Sequence, residues 1–142
     1  MKGSKDLLSS VLKTTQMGQI GIRCVLKAPV RASLHKALQS QLHEYDAIEQ
    51  EAHAIAASRG WELEELDPAI KGMSRMMTAM QLSFGNVSSK AAAMMIQGNT
   101  RGMIKSLKNL HAFNNSDARV ASISQKLLDT ETENIRQMQE FL

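Results

Sequence analysis

Residues 120–142, VASISQKLLDTETENIRQMQEFL, place Val120, Ile123, Leu127, Ile135, Met138 and Leu142 at helical spacing. At about 100° per residue they form one apolar stripe. Glu131 falls near its middle, one turn after Leu127. A second stripe, Leu38, Leu42, Tyr45, Ile48, Ala52 and Ile55, contains Glu49 in the same way. An ionised carboxylate buried without a partner is costly. Two helices that each carry an acid on their apolar side must therefore pair, protonate, hydrate or coordinate it. The stripes predict an all-α protein whose helices pack side by side, with a polar spot in the interior.

Prolines and glycines divide the rest of the chain. Helix 1 is expected over about Lys5–Lys27, with Ser4 as N-cap and Asp6 in the first turn. Its inward stripe is Leu8, Val11, Leu12, Thr15, Ile22 and Val25, and Pro29 ends it. Helix 2 starts near Pro29 or Val30 and runs to about Arg59. Gly60 suits a left-handed C′ position, with Trp61 folding back onto the helix end. Asp67-Pro68 supplies the next N-cap and first helical residue. The region that follows is too long for one helix of a small bundle. Gly85-Asn86 breaks it into segments of about 69–84 and 88–112, the second capped by Ser88 or Ser89. Asn114-Asn115-Ser116 then caps a last helix over about Asp117–Phe141. Short connections between long amphipathic helices predict one domain spanning 1–142. Its fold is an antiparallel, up-down four-helix bundle with the third helical region split in two.

Composition narrows the setting. Cys24 is the only cysteine, so no intrachain disulfide forms, which suits the cytoplasm. The apolar run Ala91–Ile96 is far too short to span a bilayer, so no membrane association is expected. Lys and Arg number 17 against 14 Asp and Glu, and they are segregated. Pro68 to Ser116 contains no acid, whereas Gln41 to Asp67 carries eight acids against Arg59. Complementary flanks of neighbouring helices account for this, as does an acidic partner on the basic side. Arg101, Lys105 and Lys108 share one helix face, yet aromatic residues are few and scattered. A nucleic-acid partner is therefore not expected.

The acids admit three arrangements. Glu49 and Glu131 lie at helix flanks or hydrogen-bond to Thr15, Gln16, Gln19 or Tyr45; they fix helix register; or, with His53, they hold a metal. Glu49 and His53, one turn apart, can share an ion on one helix face. With Asn134 three residues after Glu131, the chain resembles the ferritin-like superfamily of four-helix bundles, in particular small bacterial members of unknown function. That resemblance implies iron or another divalent transition metal bound by Glu49, His53 and Glu131, and possible redox activity. The di-iron pattern itself, Glu-x-x-His on two helices, is absent: Gln50 precedes His53 by three residues, and Asn134 stands where the pattern has histidine.

Two further features suggest contact surfaces. Met73, Met76, Met77 and Met80 form a helical stripe that reads as core or as an adaptable docking groove. Gly98 and Gly102, four residues apart, read as a close helix–helix approach, against Gly18 or Gly21 of helix 1 or across a homodimer seam. No nucleophile motif or phosphate-binding loop accompanies them. The expected function is thus non-catalytic, a self-associating or protein-binding protein with Met76, Met80, Gly98 and Gly102 at its contact surface and no cofactor. The alternative is a ferritin-like metal-binding protein using Glu49, His53 and Glu131.

Overall fold

The computed structural model describes residues 3–72, 85–113 and 117–142. Met76 and Met80, and most of the predicted segment 69–84, lie outside the described residues. The chain is all-helical: α1 is Ser4–Leu26, α2 is Ala32–Arg59, α3 is Val87–Ala112 and α4 is Ala118–Gln139. A further helical stretch opens at residue 68. No helix among the described residues is long and apolar enough to cross a membrane.

The boundaries follow local chemistry. Gly3 takes the N-cap position expected of Ser4, and its N–H donates to the Asp6 carboxylate at 3.3 Å. α2 begins later than Pro29 because the chain turns through residues 27–31, where the Arg31 N–H donates to Ser88 Oγ at 2.9 Å. At the other end Gly60 adopts φ +67°, and the Trp61 N–H closes on the Ala56 carbonyl at 2.9 Å. That is the left-handed ending foreseen for this glycine. Asp67 accepts from the Ala69 N–H at 2.8 Å, as an N-cap should. Asn86, rather than Ser88 or Ser89, caps α3 by accepting from the Ser89 N–H. Asp117 caps α4, accepting from the N–H groups of Arg119 and Val120.

The predicted stripes meet in one core. Leu8, Val11, Ile22 and Val25 of α1 join Leu38, Ile48, Ala52 and Ile55 of α2 and Val120, Ile123, Leu127 and Met138 of α4. α3 contributes smaller groups: Ala91, Ala92 and Met95, then Asn99, Gly102 and Ser106. Three stripe positions differ from expectation, Leu42 of α2 being only half-buried. Ile135 is only half-buried and Leu142 is exposed, because α4 turns Asn134 inward instead.

Contacts between helices give their directions. Gln19 meets Asp46 and Gln16 meets Glu49, so α1 and α2 are antiparallel. Gln41 meets Gln137 and Arg59 meets Asp117, so α2 and α4 are antiparallel. Ser10 meets Asn109, and the Met95 side chain lies near Gly21, so α1 and α3 are antiparallel. α2 and α3 therefore run the same way, and strict up-down alternation does not hold. The connection between them has to return along the molecule. Its first part does so against α1: the Glu64 N–H donates to Ser9 Oγ, Lys13 pairs with Glu64 at 2.6 Å, and the Leu66 N–H donates to Gln16 Oε1. The connection from α2 to α3 thus begins along α1.

Candidate functional site: a buried polar centre and an exposed face of α3

Glu131 is 1% exposed, as the stripe containing it implies. Neither carboxylate oxygen has a hydrogen-bond partner among the described residues. The carboxylate lies against the backbone of α3 at Gly102. A Cβ on that glycine would stand 2.7 Å from Glu131 Cδ and closer still to one of its oxygens. Gly102 is therefore the socket for the Glu131 carboxyl group. Burial alone pushes that group up to about 8, so it is a neutral acid at pH 7.

Tyr45 forms the partnered half of the same centre. Its hydroxyl donates to Asn99 Oδ1 at 2.8 Å and accepts from Asn134 Nδ2 at 3.4 Å, linking α2 to α3 and α4. Asn99 also donates to the Met95 carbonyl at 2.8 Å. The Tyr45 ring packs on Gly18, where a Cβ would meet the ring at 2.7 Å. Burial, and then the Glu131 charge, raise the Tyr45 hydroxyl far above its ordinary range, while the Asn134 hydrogen bond opposes them. Tyr45 therefore acts as a hydrogen-bonding group and not as an acid.

Glu49 lies elsewhere. It is half-buried between α1 and α2, accepting from Gln16 Nε2 at 3.5 Å and Gln19 Nε2 at 3.4 Å. His53 is exposed, with Nε2 3.9 Å from Glu65 Oε1. The three predicted ligands are thus spread over two places. Glu131 sits in the dry α3–α4 seam, whereas Glu49 and His53 line a wet rim beside the crossover. Among the described residues no three His, Cys, Asp or Glu side chains converge as a metal site.

The glycine pair also separates. Gly102 is buried, but against Glu131 of α4 and not against Gly18 or Gly21, and so it offers no outer surface. Gly98 is exposed, with open space where a side chain would begin. Gly18 accommodates Tyr45, and Gly21 faces the Met95 side chain. Each helix glycine therefore meets a side chain or solvent instead of another glycine.

The sequence pattern singled out the cations on the outer face of α3 but not the apolar pair beside them. Ile104 and Leu107 are 47% and 41% exposed. They point away from the inward positions Met95, Asn99, Gly102 and Ser106. That phase difference was visible in the sequence, but the glycines drew attention to the opposite side of the helix. Arg101, Lys105 and Lys108 flank the two residues, and α3 has no acid. Burial, and then the nearby Lys13 charge, push Lys105 down. On another part of the surface, α2 and α4 form an open groove of about 550 Å³. Glu44, Asp129 and Glu133 line it together with Lys126. No protein-family model, curated protein or solved structure matches the chain.

Proposed function

We propose that the chain is a ferritin-like four-helix bundle that acts in the cytoplasm as a non-catalytic, self-associating protein, through the outer face of α3. Two antiparallel hairpins joined by one long crossover are the connectivity of ferritin-like bundles, which supports the first part. The observation that carries the second is the pair Ile104 and Leu107, exposed one turn apart on a helix whose charges are all positive. Apolar anchors bordered on one side by cations suit a docking helix. Packing α3 against its own copy would bring two sets of three cations together, which like-charge repulsion opposes. The groove carrying Glu44, Asp129 and Glu133 is the complementary surface, so the association is heterologous, α3 of one copy on the α2–α4 groove of the next.

Sedimentation velocity on two variants tests this. Ile104→Glu/Leu107→Glu spoils the face, and Glu44→Lys/Asp129→Lys spoils the groove. Each variant alone is expected to be a monomer, while their equimolar mixture forms a dimer through the one intact pair of surfaces. Wild-type protein that stays monomeric over a concentration series overturns self-association, and capture of a different acidic protein then becomes the function of the face.

The second reading, a metal-binding ferritin-like protein using Glu49, His53 and Glu131, is favoured only by the unpartnered carboxyl group of Glu131. Elemental analysis of chelator-free protein against Glu131→Leu tests it. Stoichiometric iron or another divalent metal, lost on substitution, would establish that reading over the first.

A further inference from the structure

We propose that the chain assembles head to tail into an open-ended row. Each copy docks its α3 face into the α2–α4 groove of one neighbour and receives the α3 face of another in its own groove. The row rests on the docking proposed above; what is added is the relation between the two surfaces within one molecule.

Their directions follow from one contact. Gly102 of α3 and Glu131 of α4 face each other across the seam between these helices. At about 100° per residue, a position two places along lies almost on the opposite side of a helix. Ile104 stands two places after Gly102, so it points away from α4, and Leu107 shares that outer side. Asp129 and Glu133 stand two places before and two places after Glu131, so they point away from α3. Both are exposed, and with Glu44 of α2 they line the groove. On the inner side of α3, Asn99 accepts from the Tyr45 hydroxyl across the interior, so Ile104 is turned away from α2 as well. The face and the groove are therefore back to back.

Surfaces placed back to back cannot both meet the same partner. Two copies join through one face and one groove, and the pair still presents an unused groove at one end and an unused face at the other. A heterologous contact closes into a ring only when each step turns the next copy by the right angle. Opposed surfaces displace successive copies and turn them little, so the row stays open.

The charges repeat at every step. Arg101, Lys105 and Lys108 enter no ion pair among the described residues, which include every acid of the chain. The groove sets Glu44, Asp129 and Glu133 against Lys126. Each incoming copy meets the vacancy that the first one met, so all steps share one affinity and growth is smooth in concentration.

Sedimentation velocity on the full chain tests the row, with two terminators as reagents. Ile104→Glu/Leu107→Glu keeps its groove and caps the end that presents a face. Glu44→Lys/Asp129→Lys keeps its face and caps the end that presents a groove. Wild-type protein should pass beyond the dimer, and its weight-average mass should rise several-fold over the monomer without a plateau. An equimolar amount of either terminator should shorten the rows, and so should high salt, which screens the cations from the acids. A wild-type plateau at two copies, with the two terminators still pairing with each other, overturns the row and leaves the docking standing. A plateau at a fixed larger number shows a closed ring, and rows that neither terminator shortens show growth through other surfaces; each overturns the proposal. A wild-type monomer at every concentration removes the docking itself, and the row with it.

Discussion

The α1–α2 and α3–α4 seams each contain a glutamate that the hydrophobic pattern places on the inner side, and they treat it in opposite ways. Between α1 and α2, Glu49 sits at a rim where Gln16 and Gln19 donate to it and the crossover adds Glu65 nearby. Between α3 and α4, Glu131 is carried past the rim into a socket left by Gly102 and receives no hydrogen bond among the described residues. The two stripes look alike, yet the partner helix decides the outcome. α1 offers long amides at that level, whereas α3 offers a missing side chain. A buried acid is thus a property of the helix it faces as much as of the helix that bears it.

The largest effect expected from this contrast is a pH dependence of stability owed to Glu131. Its carboxyl group ionises near 4.5 unfolded and near 8 folded. Between those values the folded state holds a proton that the unfolded state has released, so stability is greatest below about 4.5 and falls as pH rises towards 8. The slope is about 1.4 kcal/mol per pH unit. Chemical denaturation across this range should show the decline, and Glu131→Gln should remove it. Glu49→Gln, at the wet rim, should leave the slope in place and change stability by less than about 0.5 kcal/mol.

Next in size is Gly102→Ala, which drives a methyl group into the Glu131 carboxyl group. It should cost about 1–3 kcal/mol by overpacking, and the loss should shrink when Glu131→Ala is added, read as the coupling in a double-mutant cycle. Tyr45→Phe should follow. It removes the hydroxyl that joins Asn99 to Asn134 and leaves Asn99 Oδ1 without its donor, at about 1–2 kcal/mol. The smallest effect is Gly98→Ala, one turn from the socket but facing open space. It should stabilise the helix by about 0.5–1 kcal/mol, so thermal melting of the two alanine variants should move in opposite directions.

Much of the fold was legible because it depends on local chemistry. Gly60, Asp67-Pro68 and Gly85-Asn86 mark ends that the backbone obeys, and the apolar stripes of α1 and α2 are the ones that are buried. What sequence could not supply was rotation and direction. A turn of α4 by one position exchanges Ile135 for Asn134 in the interior and sets Asn134 beneath Tyr45. The shared direction of α2 and α3 depends on where the long connection travels, and the contacts of Glu64 and Leu66 with α1 are invisible in hydrophobic periodicity. The burial of Glu131 was foreseeable. Its separation from Glu49 was not, because it turns on which helices become neighbours.

The path of residues 61–66 over α1 also bears on how the molecule assembles. The α1–α2 and α3–α4 pairings are close in sequence, so each hairpin can form quickly without awaiting the other. The Lys13–Glu64 and Gln16–Leu66 contacts need α1 already in place as a track. The connection thereby sets out along a surface that the first hairpin has already formed, which shortens the loop left to close before the second hairpin docks.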